Sequence, residues 1–233
     1  MAIQVVKRLG LIVPVCGALL SVPAQAASYT ELTLPNLNTN LSGWTDGAVY
    51  SAIFPGEHVW NGVPFKLESQ ANGNKAFMGG VLNIPVNIYG VTSSFTLMNS
   101  AWGVAGKTVG KVEFFGSSGG YYSANLLEGS NIRDHFDGSF AGTLDGVNAK
   151  PAYNIGAGHS RLDMQIFNLP AEFASQTLQR IRFTDYALGN PNGSAFIAAA
   201  TVAAVPEPET YAMLLAGLGV VGWSLRKRQT HRV

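Results

Sequence analysis

"VLNIPVNIYG", residues 81–90 of the chain, places Leu82, Ile84, Val86 and Ile88 on one side of an extended backbone and Asn83, Pro85, Asn87 and Tyr89 on the other. Side chains alternate across a strand, so a period of two marks a half-buried β-strand rather than a helix, whose period is 3.6. Pro85 brings no N–H to a ladder, which puts this strand at a sheet edge or its proline at a bulge. The same pattern recurs along the chain. SSFTLMNSAW (93–102) sets Phe95, Leu97 and Asn99 on one face, and TVGKVEFFG (108–116) runs into the turn Ser117-Ser118-Gly119-Gly120. YYSANLLEG (121–129) and NIRDHF (131–136) read as strands separated at Gly129, and SRLDMQIFNLP (160–170) alternates Leu162, Met164 and Ile166 against Asp163, Gln165 and Phe167. TLQRIRFTDYA (177–187) and GSAFIAAATVAAV (193–205) supply the last two, the final run being apolar on both faces and therefore expected inside a sheet. Residues 171–175 are predicted to form one short helical turn. With no internal repeat and little helical periodicity, eight or nine strands with turn signals about every ten residues predict an all-β fold, an antiparallel β-sandwich of jelly-roll type.

The two ends read differently. Lys7 and Arg8, an uncharged run over 9–22 and the site Ala24-Gln25-Ala26 have the layout of a secretory signal peptide, residues 1–26, cut by signal peptidase after Ala26. An uncut anchor is the alternative, but the run falls short of the roughly 20 residues a spanning helix needs. Cys16, the only cysteine, lies in that segment, and Val15 before it is not the small residue a lipoprotein site requires. The mature chain then has no thiol, hence no disulfide, cysteine-held metal or cysteine nucleophile. Residues 27–204 make one domain, with nine Lys and Arg against twelve Asp and Glu up to Val205, a net charge near −3 without a basic patch, which argues against nucleic acid as a partner. Residues 205–229 form a third segment. Its apolar part, about 211–225, would rise roughly 22 Å as a helix against a hydrocarbon core of about 30 Å. Snorkelling of Arg226 and Lys227 and an interfacial Trp223 cover part of the mismatch. The basic residues 226–228 place the tail in the cytoplasm, in agreement with a signal peptide that puts the rest outside. A C-terminal transmembrane helix is therefore expected.

Pro206-Glu207-Pro208, a short apolar stretch with Gly217, Gly219 and Gly222, and then Arg226-Lys227-Arg228 together resemble the PEP-CTERM sorting signal of Gram-negative bacteria. The resemblance covers about the last 25 residues. It implies that a membrane protease, exosortase, recognises Pro206, Glu207 and Pro208, with Arg226, Lys227 and Arg228 completing the signal, and cuts near the triplet. It also implies transient anchoring in the inner membrane after export, then release to the cell surface or extracellular matrix, usually beside an exopolysaccharide system. The triplet suits this: prolines resist helix and keep a segment extended and open to a protease. An ordinary tail anchor is the alternative. NGVPFKLES (61–69), residues 81–103 and VGKVEFFGSSGG (109–120) resemble galactose-binding-like jelly rolls, which implies the fold and, in such domains, a frequent structural Ca²⁺.

Chemistry is sparse. Gly116-Ser117-Ser118-Gly119-Gly120 matches G-x-S-x-G, but a strand-like segment follows where a nucleophile elbow needs a helix, so a Gly/Ser hairpin loop is the expectation. Arg133, Asp134, His135 and Asp137 form the densest ionisable cluster. Asp134 and His135 are adjacent and would point to opposite faces of a strand, a poor arrangement for zinc. An Arg–Asp pair holding two strands or a loop is the plainer reading. Asp134, Asp137 and Asp145 are candidates for a structural Ca²⁺, since such loops offer oxygen ligands; otherwise no cofactor is expected. Glu57, Glu68, Glu113 and Glu128 do not pair into a recognisable glycosidase couple, and no H-E-x-x-H spacing occurs. Sugar binding uses aromatic faces with polar neighbours. Trp44, Trp60, Trp102, Tyr121 and Tyr122 are candidates, Trp44 and Tyr122 foremost, with Arg133 or Asn99 as hydrogen-bonding partners. The sequence therefore predicts a non-catalytic exported protein that binds polysaccharide; a glycan-active hydrolase and a purely structural matrix or adhesion component are the alternatives.

Overall fold

The computed structural model describes residues 28–136, 138, 140–205 and 216–221. The signal segment, the Pro-Glu-Pro triplet, the basic tail and Asp137 lie outside the described residues. Of the predicted membrane segment, residues 216–221 are helical, and among the described residues no helix is long and apolar enough to cross a membrane.

Twelve strands are described. They are β1 (Ser28–Leu32), β2 (Gly56–Trp60), β3 (Val63–Leu67), β4 (Phe77–Met78), β5 (Gly80–Tyr89) and β6 (Val91–Ala101), followed by β7 (Thr108–Gly116), β8 (Tyr121–Leu127), β9 (Ala149–Tyr153), β10 (Leu162–Asn168), β11 (Thr177–Asp185) and β12 (Ser194–Ala204). All pair antiparallel, in a large sheet ordered β1-β12-β6-β10-β9 with β4 also on β12, a four-stranded sheet ordered β5-β11-β7-β8, and the β2–β3 hairpin. The chain crosses repeatedly between the two main sheets, giving the expected antiparallel sandwich. Pro85 satisfies both readings: β5 is the edge of its sheet, and the register slips opposite the proline, between Leu178 and Arg180.

The large sheet is covered on both faces, which makes three layers where the sequence pointed to two. On one side Leu82, Ile84, Val112, Phe114, Ile181 and Phe183 of the smaller sheet meet Ile197, Ala200 and Val202 of β12. On the other, Leu97, Leu162, Met164 and Phe196 pack against Tyr50, Phe65 and Leu67 from the hairpin and the 3-10 turn Gly47–Ala52. Every residue of β12 is buried, and a bulge between Ile197 and Ala199 turns Ala198 and Ala199 to the same core. Its alanines let both outer layers approach closely. The additional strands are short and half-exposed, so they carry little periodic signal. Asn61 and Gly62, both at positive φ, give the β2–β3 turn the backbone of a type I′ hairpin.

NIRDHF departs from its expected strand. Residues 131–136 form only isolated bridges, Glu128 with Ile132, Ser100 with Asp134 and Phe136 with Ser160. Arg133, Asp134 and His135 are all buried there, and their bonds are divided among Ser100 of β6, Asp163 of β10 and the loop at Ala141 instead of running along one neighbouring strand. The predicted turn at 171–175 is a 3-10 helix, Ala171–Ser175.

Candidate functional site

At the end of the large sheet where β6 finishes and β12 begins, Gly43, Trp44, Thr45, Ala101, Trp102 and His135 line a pocket of about 270 Å³. One wall comes from the 3-10 turn Leu41–Gly43, capped by the Asn40 side chain, which accepts from Ser42 N–H at 3.1 Å. Trp44 closes that turn through its N–H to the Leu41 carbonyl. Its ring packs on His135 at 4.8 Å and edge-on to Phe196 at 5.3 Å. The Trp44 face is thus anchored from behind by the core.

Trp102 stands opposite in chain terms, immediately after β6. It holds φ +61°, a left-handed conformation that bulky residues seldom adopt, and remains 39 % exposed. Asp134 sits beneath it. Burial pushes this carboxyl up from its ordinary range, while the N–H groups of Phe136, Trp102 and Gly103 pull it back. Of these, Phe136 N–H makes a full bond at 2.8 Å. His135 is held neutral, lowered to about 4 by burial and by the charge of Arg161. Ser160 Oγ donates to the Thr45 carbonyl at 2.9 Å and therefore accepts from His135 Nδ1 at 3.4 Å. That network assigns the proton to Nδ1 and leaves Nε2 an acceptor.

The other sequence candidates are dispersed. Arg133 does not face a ligand: it is buried and bidentate on Asp163, at 2.8 Å from Nε and 2.7 Å from Nη2, with Nη1 on the Gly142 carbonyl. The pairing partner comes from β10, not from the adjacent aspartates. Asn99 is likewise interior, bonded to Asp163 and to the Arg133 carbonyl. Tyr122 is half-buried with its ring 5.8 Å from Phe114, away from the tryptophan pocket, whereas exposed Tyr121 donates to Glu113 at 2.8 Å. Asp145 organises its own loop by accepting from the N–H groups of Val147, Asn148 and Ala149. Among the described residues no three His, Cys, Asp or Glu side chains assemble to hold a metal; Asp137, one of the three Ca²⁺ candidates, lies outside them.

The G-x-S-x-G stretch is the β7–β8 hairpin loop. Gly116 and Gly120 are explained by Gln176, because a Cβ on either would collide with the Gln176 amide, whose oxygen accepts from Ser118 N–H at 3.0 Å; Gly119 holds φ +85° in the turn. The adjoining hollow, about 410 Å³, is lined by Ser118, Gly119, Gly120, Glu172, Ser175 and Gln176, with no histidine to activate a serine.

β12 ends at Ala204, and Val205 N–H still bonds to the Gly90 carbonyl at 3.0 Å. Ser28 pairs with Ala204. Both ends of the domain therefore lie side by side, at the end of the large sheet opposite the pocket. Residues 204–229 match the PEP-CTERM protein-sorting motif, so the sorting segment begins where the last ladder bond stops. That motif implies export, processing by exosortase and a surface or extracellular destination. No curated protein matches the chain.

Proposed function

We propose that this protein is a non-catalytic, surface or matrix component that binds a neutral polysaccharide segment in the pocket between Trp44 and Trp102. The carrying observation is the half-exposed Trp102, held left-handed beside an anchored Trp44 around one cavity. Strained residues of this kind gather at ligand sites. Indole faces suit the apolar faces of sugar rings, and the His135 Nε2 acceptor and the exposed Thr45–Gly43 backbone offer hydroxyl recognition. The volume lies near the lower end of small-molecule sites, about 300 Å³, which fits a short stretch or the end of a chain.

A non-catalytic role is favoured by the fate of the carboxylates. Glu113 is tied to Arg182, Tyr121 and Lys111, and Glu128 and Asp134 are about 1 % exposed rather than facing each other across a cleft. In this reading residues 211–225 hold the chain in the inner membrane until exosortase cuts near Pro206–Pro208. Affinity electrophoresis of the full chain in mild detergent through gels containing different polysaccharides tests it. Retardation by a polysaccharide that falls at least tenfold in Trp102→Ala, with melting unchanged, is expected. Equal mobility in every gel, or turnover of the polysaccharide, overturns the reading.

A further inference from the structure

Glu128 has 1 % of its surface exposed, and neither carboxyl oxygen has a hydrogen-bond partner among the described residues. Its carboxyl occupies the space a side chain at Gly103 would take, and Gly193, at φ +96°, closes on it from the other side. Ser100, fully buried on β6, turns its hydroxyl towards Glu128 and pulls that carboxyl down against the effect of burial, but the contact falls short of a well-formed hydrogen bond. Asp134, bridged to Ser100 through the backbone, brings a second buried carboxyl beside the same Gly103, and its Oδ2 is unpartnered as well. Arg161 lies near Asp134, donating from Nε to its carbonyl at 3.1 Å, and its charge bears on that carboxyl.

Four oxygens without a well-formed hydrogen bond, on two carboxyls and a hydroxyl around one glycine, are costly to bury. Each unpaired polar group costs about 1–3 kcal/mol and a charged one more. We propose that Glu128, Asp134 and Ser100 form a buried binding site for a hard divalent cation, calcium by preference. An all-oxygen set excludes the nitrogen and sulfur ligands that favour zinc. Deep burial disfavours magnesium, which gives up its water reluctantly, whereas calcium accepts irregular oxygen cages completed by carbonyls or water. The ion would balance the two carboxylates and fix the Trp102–Gly103 turn. The site stands independently of what the pocket binds.

The test uses the full chain in detergent, stripped with chelator and titrated separately with CaCl₂, MgCl₂ and ZnCl₂ by calorimetry and thermal melting. One calcium per chain, a melting temperature raised by about 5–10 °C at a hundredfold excess over Kd, and little response to magnesium are expected. Affinity should fall at least tenfold in Glu128→Gln and Asp134→Asn, less in Ser100→Ala, and stay unchanged in Asp145→Asn. If Glu128→Gln fails to fold, the wild-type titration and Ser100→Ala still decide. No calcium uptake, with stability instead increasing as pH falls towards 5, would identify a protonated acid pair and overturn the proposal. So would calcium binding that survives Glu128→Gln or is lost in Asp145→Asn.

Discussion

The two ends of the large sheet share strands β6 and β12 and have opposite character. Where β12 stops and β1 and β6 start, neighbours are Ala204, Ser28 and Val91, and the closing contacts are plain backbone bonds such as Val205 to Gly90. About 35 Å away, the length of an eleven-residue strand, Arg133, Asp134, Arg161, Asp163 and Glu128 are buried around the ends of β6 and β10. The first end leads into the sorting segment; the second holds the pocket. Buried charge needs many specific partners, and those partners also fix loop geometry, so the polar end gains a shaped surface that the plain end does not need.

Breaking the polar end should have the largest effect. Arg133→Ala strands the Asp163 carboxylate, which is fully buried, and is expected to cost about 3–5 kcal/mol in denaturant unfolding. A loss under about 1 kcal/mol would mean that this end is not a closed network. The outer face of the smaller sheet sharpens the comparison, because there the same chemistry lies close to water. Arg182 hydrogen bonds, with Tyr121 and Lys111, hold Glu113 down at about 2 against an ordinary 4.5, with burial opposing them. The unfolded chain takes up the proton first, so this stabilisation is complete above about pH 4.5 and is lost as pH falls towards 2. The swing should be about 1–3 kcal/mol, discounted for the nearby solvent, and flattened in Glu113→Gln.

At the end where β12 stops, smaller effects are expected. Gly90 has φ +71°, and a Cβ there would meet the Val205 carbonyl, so Gly90→Ala should cost about 1–2 kcal/mol and speed hydrogen exchange at Val205. Ser28→Ala removes only a 3.4 Å contact to the Ala204 carbonyl and should stay within about 0.5 kcal/mol. A loss at this end as large as that of Arg133→Ala would erase the contrast between the two.

The long strands were legible because burial on one or both faces writes itself into alternation, as in 81–90 and 193–205. The short strands β1, β4 and β9 were not, since five or fewer half-exposed residues leave no period to read. Asn61-Gly62 was a readable hairpin signal that the strand pattern around it did not need. Trp44 and Trp102 were both legible as candidate aromatics, but Tyr122 rather than Trp102 stood beside Trp44 as a loop aromatic, and Arg133 was legible as a charge awaiting a partner. Nothing local marked Glu128 or Ser100, whose significance lies in what surrounds them.

Residue order therefore dictated the β class, the interior placement of the last strand and the sorting segment, because each follows from local periodicity or from a contiguous motif. The third layer, the Arg133–Asp163 pair, the meeting of Trp44 with Trp102 and the convergence of Glu128, Ser100 and Asp134 on Gly103 were decided by folding. Those contacts join residues dozens of positions apart, and only the packing of loops at one end of a sheet brings them together.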